Sequence, residues 1–248
     1  MRAMLATLDR ELRAYFFSPL GWAVLTLVLL VNGGVFWVLV SFLSDPRTPA
    51  SATPLEYFFG QTIFFWLVLL FVTPVLTMRL VAEERKSGTI EVLMTAPISE
   101  GQVVAGKYLA ALVYFLWLWL PSLLYAVILA SYSEVDWGPV ASGYLGVLGI
   151  GALFLAVGVF ASALARNQIV AALATFAMLM VLFSFGLLES LFETNEVLSE
   201  AFAYMNLWQH MEEFSRGIVD SRRLVYYLSV TLLFLFLSSR TLEAKKWR

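Results

Sequence analysis

"GWAVLTLVLLVNGGVFWVLVSFL", Gly21 to Leu43, is a run of 23 residues without a charge. At ~1.5 Å rise per residue, a helix of this length crosses a hydrocarbon core about 30 Å thick. The run is longer than the ~7–15-residue apolar region of a cleavable signal, and no A-x-A site follows it. It therefore reads as a retained transmembrane helix. Working outward, similar apolar runs recur, and six spans are predicted at 21–43, 58–82, 103–131, 140–165, 169–188 and 223–240. Composition agrees. The 248 residues are 60% apolar and 14% charged, with a mean hydropathy of +0.82. A soluble domain would carry roughly 25% charged residues. The fold class is all-α integral membrane, read as a single transmembrane domain over residues 1–248.

Residues 1–17 place Leu5, Leu8, Leu12 and Tyr15 or Phe16 at helical spacing, with Asp9, Arg10 and Arg13 mostly opposite. Such a helix suits the membrane interface. "SPLG" ends it. Pro74 and Pro121 fall inside the second and third spans, where neighbouring helices tolerate them. The fourth span carries Gly143, Gly146, Gly149, Gly151 and Gly158, and is expected to be buried among the others, because small residues let helices approach closely. Twelve of the sixteen Lys and Arg residues fall on the side of the N-terminus, which predicts that both termini are cytoplasmic. On the outer side, residues 189–222 are expected to lie on or dip into the outer leaflet. Leu207, Met211, Phe214 and Ile218 form one face there, with Trp208 beside it at the boundary.

The chain has no Cys and one His, so thiolate sites and His-based metal clusters are excluded. No Asp, Glu, Lys or Arg falls near the middle of a span, which argues against an ion-coupled carrier. An intramembrane protease lacks its nucleophile, base or paired aspartates. Asn32, Gln61, Thr62 and Thr73 are expected to make interhelical hydrogen bonds. "GQVVAGKY", Gly101 to Tyr108, contains G-x-x-x-x-G-K, the core of a phosphate-binding loop. A working loop ends in Ser or Thr and follows a buried strand. Here Tyr108 takes that place and a membrane span follows. The fragment is not a nucleotide site, and Lys107 reads as an inner-interface anchor.

The inner connection between spans two and three is "RLVAEERKSGTIEVLMTAPISEGQVVAGK", residues 79–107. From Ser87, as cap, a short helix is predicted with Ile90, Leu93 and Met94 on one face, Glu91 and Thr95 on the other, and Pro97 as its end. Such a helix suits docking into a groove on a partner, or lying on the membrane. "EERK" before it is a charge cluster suited to a partner or to lipid headgroups.

At this stretch the sequence resembles the ABC-2 type transporter permeases. "AEERKSGTIEVLMTAPISEGQVVAGKYLAA" (82–111) is similar to that family's junction into the third span. "FFSPLGW" (16–22), "PVLTMRLVAEE" (74–84), "NQIVA" (167–171) and "SRGIVDSRRLVYYLSVT" (215–231) resemble its gliding-motility-associated branch.

The resemblance implies an exporter permease in the bacterial inner membrane. It implies no catalytic residue, bound cofactor or metal of its own. ATP and Mg would sit on two separate ATPase subunits, with a second permease subunit, identical or different, completing the complex in membrane lipid. No nucleic acid is implied. The N-terminal helix and a coupling helix within 83–99 would face the ATPases, and 189–222 would form short outer helices. Glu83, Glu84, Gly88, Thr89, Glu91, Leu93, Pro97 and Ser99 match the family junction as ATPase-contact residues, Glu84 as an ion-pair partner of an Arg on the ATPase or on the connecting helix. The alternative is an ATP-powered scaffold or mechanotransmitter acting on envelope proteins without moving a solute.

Overall fold

The computed structural model describes residues 2–45, 47, 53–88, 99–191 and 196–246, all of whose regular structure is helical. Helix α1 spans Arg2–Phe16. Ser18 then caps α2 (Pro19–Leu43), its Oγ accepting from the Gly21 N–H at 3.0 Å, with Pro19 supplying the fixed φ that suits a first helical position. A short helix α3 (Pro54–Glu56) opens on a reciprocal capping box between Thr53 and Glu56. A wide turn over Tyr57–Gln61 follows. Then come α4 (Ile63–Thr77), α5 (Ala82–Lys86), α6 (Glu100–Trp119) and α7 (Leu123–Ala130). The last five are α8 (Trp137–Leu164), α9 (Gln168–Leu191), α10 (Glu196–Met205), α11 (Leu207–Ser215) and α12 (Ser221–Lys246).

Six stretches are long and apolar enough to cross a membrane: Pro19–Leu43, Ile63–Lys86, Glu100–Ala130, Trp137–Leu164, Gln168–Gly186 and Ser221–Ala244. The chain is a multi-pass membrane protein. Its centre is α8, which packs against α12, α9, α11, α4 and α6. The apolar window of α8 is 72% buried, against 17–22% in the first, fifth and sixth spans, so these three present broad apolar faces outward. The glycines explain how α8 holds the middle. A Cβ on Gly151 would meet the Phe115 ring at 2.2 Å, and one on Gly158 would meet Thr77 Oγ1 at 2.2 Å. Large side chains of the neighbours fill the space that the missing side chains leave. The buried position expected for this span is the one found.

The differences from the predicted spans have local causes. The second span starts at Ile63, not 58, because Gly60 has a φ of 101° that ends the preceding turn. Leu55, Phe58, Phe59 and Gly60 are all buried, so this piece folds into the protein as an element of its own. The third span tightens at Pro121 into a 3-10 turn, Leu120–Ser122, whose flanking residues keep right-handed helical φ and ψ, so it runs on from Glu100 to Ala130. The sixth helix runs on to Lys246, past the predicted 240. Ser87 closes α5 instead of opening the next helix, its Oγ donating to the Glu83 carbonyl at 2.9 Å. Most of the predicted helix after it, 89–98, lies outside the described residues.

Candidate functional site

At the end of the bundle that carries α1, four charged groups from three elements meet. The Lys107 ammonium, on α6, lies 2.8 Å from Glu11 Oε1 on α1 and 2.9 Å from Glu84 Oε1 on α5. Arg10 of α1 reaches both carboxylates, at 2.7 Å from Glu11. The Lys107 side chain is 1% exposed. Lys107 is therefore not an interface anchor; it is the buried centre of a balanced quartet of two cations and two carboxylates. Taking these charges from water is costly, and only close opposite charges offset that cost. For Glu11, burial favours the neutral acid, but the ammonium of Lys107 and then the guanidinium of Arg10 outweigh it and hold the carboxyl below its ordinary range.

The approach of α1 to α6 explains the neighbouring glycine. A Cβ on Gly106 would sit 2.9 Å from the Met4 carbonyl oxygen and 3.0 Å from Thr7 Cβ. The "GK" of the phosphate-loop fragment thus has a packing role and an ionic one. The face of α1 turned to the protein is Thr7, Glu11 and Tyr15, at i, i+4 and i+8, whereas Leu5 of the expected apolar stripe is exposed. Tyr15 stacks on Tyr114 at 4.8 Å and donates to the Leu76 carbonyl at 2.6 Å. The Arg79 guanidinium lies over the Tyr15 ring at 4.4 Å and donates to the Ala14 carbonyl at 3.0 Å.

The same end ties α5 to α8. Arg85 donates to the carbonyls of Ala163, Leu164 and Ala165, at 3.2, 3.1 and 2.7 Å. A cation at a helix C-terminus satisfies orphan carbonyls and complements the helix dipole. Ser162 Oγ accepts from the N–H groups of Val81 and Ala82, both at 3.1 Å, and so caps the start of α5 from a different helix. Two of the four "EERK" residues are thereby bound within the chain, Glu84 to α1 and α6 and Arg85 to α8, instead of being left for a partner or a headgroup.

The eight residues matching the family junction divide accordingly. Glu83 and Glu84 lie on α5, Gly88 follows it with a φ of 73°, and Ser99 precedes α6. Thr89, Glu91, Leu93 and Pro97 lie outside the described residues. Glu11 and Ser162 had not been singled out from the sequence, Arg10 had been placed only on the polar face of its helix, and Arg85 had been read only as part of the "EERK" cluster. One signal was present: Glu11 sits between Leu8 and Leu12, next to the apolar stripe, where a carboxylate needs a partner.

At the opposite end, α11 packs its apolar face into the protein. Leu207, Met211 and Phe214 are buried, while Ile218 is exposed. Met211 packs on Gly60, and Phe214 on Gly146. Trp208 sits between Trp66 and Phe183, with ring centroids at 5.0 and 5.2 Å, and is partly buried against the core. Thr62 and Thr73 do not make the expected interhelical bonds; their hydroxyls have no partner among the described residues.

His210 is fully buried, with Nε2 3.1 Å from the Tyr204 carbonyl and Nδ1 3.1 Å from the Tyr227 hydroxyl. A carbonyl only accepts, so Nε2 carries the proton and Nδ1 accepts from Tyr227. Burial, and then the positive charge of Arg223, push this imidazole down to about 3. The unfolded chain then binds one more proton than the folded one between the ordinary His value and about 3. Stability is expected to be full above that ordinary value and to fall as the pH drops through the window. Thermal unfolding of the solubilised protein at pH 7 and pH 5 checks this: the midpoint falls in the native chain and falls less in His210→Asn.

The described residues hold no group of three or more His, Cys, Asp or Glu side chains placed to bind a metal ion. The molecule is a helical membrane protein with a buried ionic cluster at one end, around the stem of the connection between its second and third spans. Its sequence matches the family described as ABC-2 family transporter protein over residues 11–245, and the chain belongs to that family. This is a family of membrane components of ABC transporters, not themselves catalytic, that work with ABC ATPase components. No curated protein matches the chain closely enough to count as a relative.

Proposed function

We propose that this chain is an exporter permease of the bacterial inner membrane, with both termini cytoplasmic, driven by two separate ATPase subunits. A second permease subunit, identical or different, completes the complex, and ATP and Mg are held by the ATPases. The observation that carries this reading is the clamping of α5. It is the stem of the segment 83–99, and it is fixed to α1 and α6 through Glu84 and to α8 through Arg85. A segment that only linked two spans would need no such anchoring; one that receives a load does. Closure of the ATPase dimer would press on 83–99 and reorient the permease as packed bodies. Glu83, Glu84, Gly88, Thr89, Glu91, Leu93, Pro97 and Ser99 form the proposed contact stretch, with Thr89, Glu91 and Leu93 nearest the ATPase. Because Glu84 is occupied by Arg10 and Lys107, its part in this reading is to hold the stem. The resemblance of the motifs at 16–22, 74–84, 167–171 and 215–231 to the gliding-motility-associated branch supports a proposed place there, without implying gliding.

Purification of the native complex tests the reading. An ABC ATPase is expected to co-purify with the native chain and to dissociate, or to hydrolyse ATP independently of the permease, in Glu91→Arg/Leu93→Arg. ATPase binding and turnover unchanged in that variant overturn the assignment of the coupling helix. The second reading, mechanical work on envelope proteins, is favoured by the aromatic, charge-poor interior. ATP-dependent movement of a lipid, peptide or small molecule in reconstituted vesicles decides against it.

A further inference from the structure

A cavity flanks the 3-10 turn of the third span. Where α6 gives way to the Leu120–Ser122 turn, Ser122 Oγ donates to the Trp119 carbonyl at 2.6 Å. That bond uses its only proton, so the Tyr144 hydroxyl, 2.7 Å away, donates to Ser122. Between the third span and α8 lies an apolar groove of about 660 Å³. One wall runs from Leu116 to Leu123 and the other from Trp137 to Leu148. The stretch Val140 to Leu148 measures ~12 Å along the helix axis. Half of a ~30 Å hydrocarbon core is ~15 Å, so the groove covers most of one leaflet's depth.

At its outer end the groove shares Val140 with a second, more enclosed pocket of about 370 Å³. The polar side chains of that pocket include Glu56, Glu134 and Asp136, and no Lys or Arg lines either cavity. Two of the carboxylates are fixed in place. Glu56 is held by the Thr53 capping box, and Asp136 accepts from the Gly138 N–H at 2.9 Å. An apolar slot of one leaflet's depth that ends in carboxylates suits an aliphatic tail whose head group, without net negative charge, ends in an ammonium.

We infer that the groove and pocket together bind one lipid of the adjoining leaflet, with an acyl chain along α8 and a primary ammonium head group, as in phosphatidylethanolamine, among Glu56, Glu134 and Asp136. A lipid with an anionic head meets like charge at the pocket. A lipid with a quaternary head brings no N–H donor to it. The inference does not rest on the transport reading, since it concerns a resident lipid and needs no ATPase.

Native mass spectrometry of the purified full chain tests it, with phosphatidylethanolamine, phosphatidylcholine and phosphatidylglycerol added in turn. One phosphatidylethanolamine is expected to survive detergent exchange that strips the other two. Ala141→Trp, which fills the groove from an exposed position, abolishes that retention. Glu134→Gln lowers the preference over phosphatidylcholine about two- to fivefold, the range for an exposed ion pair. Equal retention of all three lipids, or full retention in Ala141→Trp, overturns the inference. Should Ala141→Trp fail to fold, the native chain still decides. Phosphatidylethanolamine with a diazirine in its tail is expected to cross-link within 116–148. Cross-links spread evenly over exposed apolar positions such as Trp37 and Leu173 overturn the inference.

Discussion

Lys107→Met is expected to cost about 3–5 kcal/mol of stability, the range for removing one partner of a buried ion pair. The shape of the side chain is nearly kept, so lost packing contributes little. What changes is charge. Glu11 and Glu84 both approach the same ammonium, within 2.8 and 2.9 Å, and without it they face each other with Arg10 as the only remaining cation of the quartet. Either one carboxylate takes up a proton or α1 leaves its site. The double variant Glu11→Gln/Lys107→Met restores balance, because Arg10 then has only Glu84 to neutralise. It is expected to recover more than half of the loss. Thermal unfolding of the solubilised native, single and double variants measures both numbers. If the single variant melts with the native chain, the quartet does not hold α1 in place.

Gly21→Ala is the second large effect, and it acts through backbone. A Cβ at position 21 would lie 2.1 Å from the Tyr15 carbonyl oxygen and 3.1 Å from the Tyr114 hydroxyl. A side chain can rotate away from such a contact, but a peptide carbonyl moves only with its helix. The elbow between α1 and α2 would have to open. That would pull Tyr15 from the Leu76 carbonyl and the Gly21 carbonyl from the Tyr114 hydroxyl, which donates to it at 2.8 Å. Overpacking of this kind costs about 1–3 kcal/mol. A displaced α1 also exposes its backbone, so trypsin is expected to cut after Arg10 and Arg13 faster than in the native chain. Gly34→Ala on the same helix is the control, since a Cβ there meets nothing within 4 Å. Equal cleavage rates in Gly21→Ala and Gly34→Ala would sink the account of the elbow.

These two sites show what was legible in the sequence. The six spans were, because an apolar run of about 20 residues has one dominant solution in a membrane. The burial of α8 was also legible, since its glycines are a local signal of close packing. The irregular turns were not. Gly60 reads like any glycine in an apolar run until its φ of 101° is known, and Pro121 does not say how far the helix around it will tighten. The quartet was not legible either, since Lys107 and Glu11 are 96 residues apart. Nothing in a single sequence says which of several isolated charges will meet. The face of α1 was misread for a related reason. Period and hydropathy favour the leucines, but the protein presents a polar slot at this point, so Thr7 and Glu11 turn inward. The same limit applies to α11, whose apolar face fits a leaflet and a protein interior equally well until its neighbours are placed.

The grip of Arg85 and Ser162 on the junction of α5 and α8 has a mechanical meaning. The elbow after Thr77 is hydrogen-bonded to α8 from two directions, at Ser162 and at the carbonyls of 163–165, so it cannot flex without moving that helix. The helix α8 runs unbroken for 28 residues, about 42 Å at 1.5 Å per residue. At its other end it bears on Phe59, Met211 and Phe214. One continuous helix thus joins the α5 junction at one end of the molecule to the Phe59, Met211 and Phe214 contacts at the other.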